Sequence, residues 1–418
     1  MPKLVIGNTG SDNMVGHTRR KSIDKRQKSA AVAQRLLWLL HQGDAILLPE
    51  APSPVFARYA FDVMGLDPDR VTVVVPPHAE VEPQILNLDV LNHPDLLARL
   101  SAVLHRPETW TVEPYYFDRP IAWLAERLQL CVAPPQLGCF RQGAAEQLNS
   151  KVQFRRLAAA HDVPVAEGAI CFTPDDVALA LTDLLQITGA VMVKQDLNAS
   201  GDGNLIVAAK PPATTFGAGE VLDVGTLNAR NLAGRIWSQL TGFRNEAMVV
   251  EAYYAATGVY YTELDIPVSR RPRLLNFGEM RMEPVWIGFE IPSPSLNPYE
   301  VGELTSVSSM LASLAATTGY TGKINCDAIR TMDGKILFTE INGRLGGCTH
   351  VHEVARALLG PEYAAKYVLL TRNKVKTGSF DAVVSNCVAK ICIGVGTPVK
   401  APSSWRRTPG GPGRSSTW

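Results

Sequence analysis

Apolar residues recur along this chain in two rhythms, and their alternation sets the expected order of elements. Short apolar runs at Leu4-Val5-Ile6 and Ala45–Leu48, and the Val-rich run Val71–Val75, read as buried strands, while helical spacing runs through Ala30–Leu40 and Asp95–Leu104. Strand and helix signals in turn over residues 1–135 describe an α/β layer. The Pro134-Pro135 step and its following loop mark a boundary. A second α/β region over 136–360 carries strands at Val191–Gln195, Leu205–Ala209, Met248–Val250 and Leu274–Met282, and a helix beginning near Lys151. A helix-like stretch follows Pro361, then an apolar segment from Ala382 to Val395, together a small C-terminal domain over 361–400. Residues 401–418 are mostly Pro, Gly, Ser and Arg and read as a disordered tail. The chain has no internal repeat.

The most informative pattern is a hairpin. KINCDAIR (Lys323–Arg330) and KILFTEIN (Lys335–Asn342) read as strands, and Asp333-Gly334 between them signals a two-residue turn. Pairing Met332 with Lys335 and stepping back along the ladder sets Asp327 opposite Glu340, then Asn325 opposite Asn342 and Lys323 opposite Arg344. Directly opposed Cβ atoms stand about 5 Å apart, and like charges there destabilise a sheet. A cation removes that conflict, and two carboxylates plus an amide oxygen suit hard, oxygen-seeking Mg²⁺. The alternative is a solvated polar face, but Ile324, Cys326, Ile336 and Leu337 flank the pair with apolar surface.

Composition narrows the class. At 418 residues the chain exceeds one compact core. An apolar fraction of 46%, a charged fraction of 19% and a net charge of +1 describe an ordinary globular protein, with no bulk electrostatic role on nucleic acid or membrane. No apolar run approaches a membrane span, and Met1-Pro2-Lys3 leads into strand-like residues rather than a signal peptide. The seven cysteines are scattered, without zinc or redox spacing, and read as reduced core residues of a cytoplasmic protein.

A second constellation suits phosphate. The apolar strand Val191–Lys194 ends in a lysine, followed by Asn198-Ala199-Ser200-Gly201-Asp202-Gly203-Asn204 and another strand. Such a small-residue loop can fold over a phosphate chain and offer it backbone N–H groups, with Lys194 as a point charge beside it. A flexible connection with an exposed lysine is the alternative. Asn149 or Ser150 can cap the helix at Lys151, where a first-turn cation opposes the helix dipole and a bound phosphate would compensate it. Lys151 extending into water explains it as simply. Met248–Tyr254 looks like a buried strand entering a hinge, whose amides could read the edge of adenine.

In order, then, the chain offers a helix lysine, a strand lysine, a Gly/Ser loop, a strand-to-hinge glutamate, Asp327 and the run Glu340-Ile341-Asn342-Gly343-Arg344. This order resembles the ATP-grasp superfamily of carboxylate–amine ligases over residues 148–347. The opening Leu4–Ser11 and its α/β region look like the preceding domain of peptide ligases similar to the pheganomycin-type enzyme, a branch of secondary-metabolite (antibiotic) biosynthesis. The resemblance implies an α/β architecture: an N-terminal pre-ATP-grasp domain, an ATP-grasp fold and a small C-terminal domain. It implies ATP and Mg²⁺ as cofactors, and a small carboxylic acid with an amine or peptide N-terminus as partners; a homodimer is compatible with it. Carried over by position, Lys151 and Lys194 contact the phosphates, with Ser200, Gly201 and Gly203 covering them. Glu251, Ala252, Tyr253 and Tyr254 hold adenine, while Asp327, Glu340 and Asn342 hold Mg²⁺. Arg344 steadies the transferring phosphoryl or the developing oxyanion, and with Lys194 is the catalytic pair. One departure concerns the ribose: Gly258 stands where relatives carry a second carboxylate, and Glu263 is the substitute within reach.

Substrate candidates are fewer. On the strand Leu274–Met282, Arg281 suits a carboxylate and Glu279 a cationic group, though a cross-strand ion pair explains both equally well. Arg19, Arg20, Lys21, Lys25, Arg26 and Lys28 form a basic cluster best read as a solvated helix face. His350 and His352, on one side of a strand or loop, lack a third metal ligand nearby and read as structural. The rivals to a ligase are an ATP-grasp kinase or ligase on an unrelated acceptor and a nucleotide-binding module without turnover.

Overall fold

The computed structural model describes residues 1–11, 14, 23–77, 79, 83–198, 201, 203–210, 212, 215–225, 228–241, 246–373, 375–380 and 382–383. Ser200, Arg19, Arg20, Lys21, Cys387, Cys392, most of the apolar segment from Ala382 and the whole tail lie outside these residues.

Three sheets organise the chain. The first contains β1 (Lys3–Ile6), β2 (Ala45–Leu47), β3 (Thr72–Val74) and β4 (Thr111–Pro114), all parallel in the order β3-β2-β1-β4. Leu4–Ile6 and Ala45–Leu47 are completely buried, as a parallel sheet covered on both faces requires. The helical signal at Ala30–Leu40 spans two elements, an α-helix over Ile23–Ala33 and a 3₁₀ turn over Gln34–Leu39. The Pro134-Pro135 step is the first turn of a helix, Pro134–Arg141, rather than a loop. Proline is tolerated there because its missing N–H would have no intrahelical partner.

The second sheet, ordered β5-β9-β6-β7-β8, comprises β5 (Gly168–Cys171), β6 (Ala190–Gln195), β7 (Asn204–Ala208), β8 (Val221–Asp223) and β9 (Met248–Ala252). It packs against the helices Pro174–Thr188 and Ala229–Thr241 around its own core of Leu181, Val193, Val207, Ile236 and Val250. The third sheet, ordered β14-β13-β10-β11-β12-β15, comprises β10 (Ala256–Ile266), β11 (Arg273–Met282), β12 (Trp286–Ile291), β13 (Gly322–Thr331), β14 (Ile336–Asn342) and β15 (Leu369–Leu370). It packs against the helix Pro298–Thr317, and its core is continuous with that of the first sheet, so these two layers share one interior.

The hairpin reaches the expected pairing by a different route. Its loop has three residues, Met332-Asp333-Gly334, closed by Thr331 N–H donating to the Lys335 carbonyl at 2.9 Å, and Gly334 takes φ +86°. A left-handed glycine closing a three-residue loop is a common hairpin form. That shifts the ladder by one residue, and a bulge at Asp327/Ala328, with Thr339 as the extra residue, shifts it back. Asp327 therefore pairs with Glu340 and Asn325 with Asn342. The ladder ends there: Lys323 pairs with Asp265 of β10, not with Arg344, and its ammonium bonds Glu113 at 3.0 Å. Past Pro361 the described residues form a 3₁₀ turn over Tyr363–Ala365 and the two-residue β15 where the helix-like stretch is expected, with helical residues only at Phe380, Ala382 and Val383. Of the five described cysteines, Cys171, Cys326 and Cys348 are buried, but Cys131 is exposed rather than core. Among the described residues, no helix is long and apolar enough to cross a membrane.

Candidate active site

A cavity of about 990 Å³ opens between the second and third sheets and extends to the first. Lys151, Lys194, Gly201, Glu251, Ala252, Tyr253, Tyr254, Asp327, Glu340, Asn342 and Arg344 all line it, drawn from six separate stretches of chain. Gly203 does not: it turns with φ +76° and has no room for a β-carbon against the Gln195 side chain, so its glycine is required by the turn.

Each charged group is positioned by a nearby element. Ser150 caps the helix Lys151–Ala160, its hydroxyl accepting from Gln153 N–H at 3.0 Å and donating to Asp196 at 2.7 Å. The same Asp196 oxygen accepts from Val152 N–H at 2.9 Å. The helix terminus is thus partnered by a carboxylate of the protein, not left for a phosphate. Lys151, 6% exposed, instead turns its ammonium to the Asn198 carbonyl at 3.1 Å and to Glu340 at 3.4 Å. Lys194 forms a close ion pair with Glu251, which also meets Arg155 at 3.4 Å. Glu251 therefore spends its charge on two cations, which leaves the hinge backbone and the tyrosines as the adjoining wall. Tyr253 N–H is bonded to the Ala190 carbonyl at 2.9 Å and the Tyr254 hydroxyl donates to Glu167 at 2.6 Å.

The two opposed acids are unequal. Burial and then the neighbouring Glu340 push Asp327 well above the usual carboxylate range. Burial acts the same way on Glu340, but Lys151, the Asn342 amide, Lys194 and Arg344 outweigh it and hold Glu340 below that range. The Asn342 amide nitrogen lies between them, donating to Asp327 at 3.3 Å and Glu340 at 3.1 Å, while its oxygen accepts from Arg344 at 2.7 Å. Among the described residues no three His, Cys, Asp or Glu side chains gather as metal ligands. The fit of a hard cation rests on the carboxylate pair: Asp327 bears a charging penalty that a cation between the carboxylates would remove, and the Asn342 amide joins them as a ligand only by turning its oxygen from Arg344 toward the pair.

Other expected residues lie elsewhere. On β11, Met280 and Met282 face the cavity, so strand alternation turns Glu279 and Arg281 to the opposite face. There Arg281 pairs with Glu290, and Glu279 accepts from the Ser295 hydroxyl at 2.6 Å. Arg281 thus makes a cross-strand ion pair, Glu279 is held by hydroxyls, and neither lines the cavity. Glu263 is fully buried, held by Thr349 and by the Asn276 amide at 2.8 Å, and does not reach the cavity as a ribose ligand. His350 and His352 lie on a helix, Thr349–Leu359, rather than a strand or loop. His352 Nδ1 bonds the Tyr363 hydroxyl at 2.8 Å, whereas His350 lines the cavity. Arg35, Tyr115 and Trp286 also line it, and no motif signals them.

The loop carrying Arg344 is packed closely enough to test. A β-carbon on Gly346 would stand 2.6 Å from Asn325 Oδ1. Gly346→Ala should cost about 1–3 kcal/mol in urea unfolding. An unchanged midpoint would show that the loop gives way freely.

A family model described as the pre ATP-grasp domain matches residues 33–130. No curated protein matches the chain by sequence. Among solved structures, N5-carboxyaminoimidazole ribonucleotide synthetase from Thermus thermophilus superposes with a TM-score of 0.53 at 13% identity, covering 91% of this chain and 86% of that one. Carboxyaminoimidazole ribonucleotide synthase from Aspergillus clavatus, complexed with ATP, gives 0.51 at 12% identity, covering 94% and 87%. The biotin carboxylase domain of 2-oxoglutarate carboxylase from Hydrogenobacter thermophilus, complexed with MgADP, ADP and bicarbonate, gives 0.51 at 14% identity, covering 87% and 70%. These neighbours belong to the ATP-grasp superfamily, and the likeness is one of fold. The chain carries a pre-ATP-grasp domain followed by an ATP-grasp-type fold.

Proposed function

We propose that this chain is an ATP-dependent ligase that joins a carboxylate to an amine through an acyl phosphate. The observation that carries the reading is the convergence of Lys151, Lys194 and Arg344 with the opposed pair Asp327 and Glu340 on one cavity. A binding module needs no such pair, whereas phosphoryl transfer depends on charge neutralisation and positioning more than on covalent help. Asp327, Glu340 and Asn342 would hold Mg²⁺, which when bound supplies positive charge at the terminal phosphates. Lys151 and Lys194 place two further cations along the phosphate chain, and Gly201 lets backbone approach it. Tyr253, Tyr254 and the end of β9 wall the base. Arg344, fixed by Asn342, faces the site where an oxygen gains charge.

In the first step a carboxylate oxygen attacks the γ-phosphorus, the bond to the β-phosphate oxygen breaks, and ADP leaves with that electron pair. In the second, the amine lone pair forms the C–N bond, phosphate departs from the carbonyl carbon, and the nitrogen releases a proton. The finer reading, a peptide N-terminus as amine and a non-proteinogenic amino acid as acid, rests on the sequence resemblance to the pheganomycin-type ligases.

The test is product identity. With a panel of organic acids and hydroxylamine as the amine, ADP and phosphate should appear together with a hydroxamate. AMP and pyrophosphate would overturn the acyl phosphate route. ADP release without dependence on any organic acid would favour a kinase, and release supported by bicarbonate alone a carboxylase.

A further inference from the structure

The parallel sheet reverses its winding between β1 and β4, since β2 and β3 lie on one side of β1 and β4 on the other. Ligands of open α/β sheets bind beyond the carboxyl ends of the strands at such a point. Tyr115 is the first residue past β4; its N–H is fixed by the Ile6 carbonyl at 2.8 Å, and its carbonyl accepts from Leu345 N–H at 3.0 Å. The switch point of the N-terminal domain is thereby tied to the loop that carries Arg344.

Two guanidinium groups converge there. Arg35, on the 3₁₀ turn Gln34–Leu39, donates to the Tyr115 hydroxyl at 3.2 Å and lies 5.3 Å from its ring centre. Burial would raise the Tyr115 hydroxyl, but Arg344 and Arg35 together hold it below its ordinary value. Among the described residues no carboxylate pairs with Arg35, and Arg344 Nε and His350 Nδ1 are buried without a hydrogen-bond partner. Burial and then Arg35 push His350 down to about 3, so it is a neutral ring beside that guanidinium. Arg344 already faces Glu340 and Asp327, but Arg35 has no opposing acid, and with the Tyr115 hydroxyl, the unpartnered Arg344 Nε and a neutral imidazole it makes a seat for an anion.

The surface next to that seat is aromatic. Residues i and i+3 of a 3₁₀ turn eclipse, which places Trp38 on the same side as Arg35. Trp38 packs edge-on against Phe56 and Tyr59 at 5.8 and 6.0 Å, Phe380 packs edge-on against the same two rings at 5.9 and 5.4 Å, and all four line the cavity.

We infer that Arg35, Tyr115, Arg344 and His350 seat the carboxylate of the acid substrate, and that the body of this acid is a ring-sized apolar group lying against Trp38, Phe56 and Tyr59. The N-terminal domain then selects the acid, while the lysines and opposed acids handle nucleotide. Reaction of the seated carboxylate rests on the proposed ligase activity; its binding does not.

The full chain, free of nucleotide, is titrated with phenylacetate, phenylacetamide and phenyl phosphate by ligand-observed NMR. Phenylacetate should bind saturably and phenylacetamide should not. Arg35→Met should weaken phenylacetate about tenfold or more, as loss of a charge-assisted pair does. Arg35→Lys, which keeps the charge but not the planar fork, should fall between, and decides the matter if Arg35→Met does not melt cooperatively. MgADP affinity, measured separately, should be unchanged in Arg35→Met and reduced in Lys194→Met. Equal phenylacetate binding in wild type and both Arg35 variants overturns the seat, as does tighter binding of phenyl phosphate or no binding of phenylacetate to wild type. Failure of MgADP to bind wild type would instead remove the nucleotide reading.

Discussion

Glu340→Gln is expected to lower Mg²⁺-dependent turnover by about 10²-fold or more, the scale on which single preorganised electrostatic groups act. The variant should stay folded because two effects oppose. Lys151 loses an ionic partner 3.4 Å away and keeps only the Asn198 carbonyl. Asp327 loses the neighbour that, after burial, does most to prevent its ionisation. The pH dependence of stability follows from the two directions. A raised Asp327 contributes stability that is present below its unfolded value and lost as pH rises through the folded one. A lowered Glu340 contributes stability present above its unfolded value and lost as pH falls through the folded one. Mg²⁺ with nucleotide removes the first penalty, so it should raise the wild-type melting temperature more at the higher of two pH values above the ordinary carboxylate range. In Asp327→Asn the two increments should be alike. Near-normal turnover in Glu340→Gln would take this carboxylate out of the reaction.

How far the site is legible in the sequence depends on whether a signal is local. The hairpin is legible because apolar alternation demands that Asp327 and Glu340 share a face. Its turn chemistry predicts two residues, yet Gly334 closes three, and the bulge at Thr339 cancels the shift. Burial of one face fixes register more firmly than turn chemistry does. Glu279 and Arg281 fail for a related reason. Alternation places them together correctly, but β11 has polar and apolar residues on mixed faces, so the pattern alone does not say which face meets the cavity. The cation at Lys151 is legible as uncompensated; its partners, the Asn198 carbonyl and Glu340, are distant in sequence and only the fold joins them. Arg35 and Tyr115 are 80 residues apart and belong to no motif. Strands β10 and β12 have no counterpart among the expected elements. The alternation in β10 is masked because it lies between two other strands, leaving all but Thr257 and Asp265 of its residues shielded.

Lys194→Met should weaken MgADP by about tenfold to a hundredfold, the range for one charge-assisted contact. The question it answers concerns Glu251, expected to hold adenine but found against Lys194 and Arg155. If Glu251 acts by holding Lys194 in place, Glu251→Gln should weaken MgADP by less than Lys194→Met. The double variant should then match Lys194→Met alone, because a positioning residue has nothing left to position. If Glu251 instead meets the base directly, the two losses should multiply, and Glu251→Gln should also change the preference for ATP over GTP. A structural role confined to the sheet would lower the melting temperature of Glu251→Gln and leave both nucleotide measurements where they were. The close pairing of Lys194 with Glu251 favours the first outcome. Lys194, at the end of an apolar strand, is 6% exposed, and without the glutamate its ammonium would lose its ion-pair partner beside Arg155 and keep only the field of Glu340, which Lys151 already pairs. Glu251 thus holds Lys194 in place for a phosphate chain to arrive.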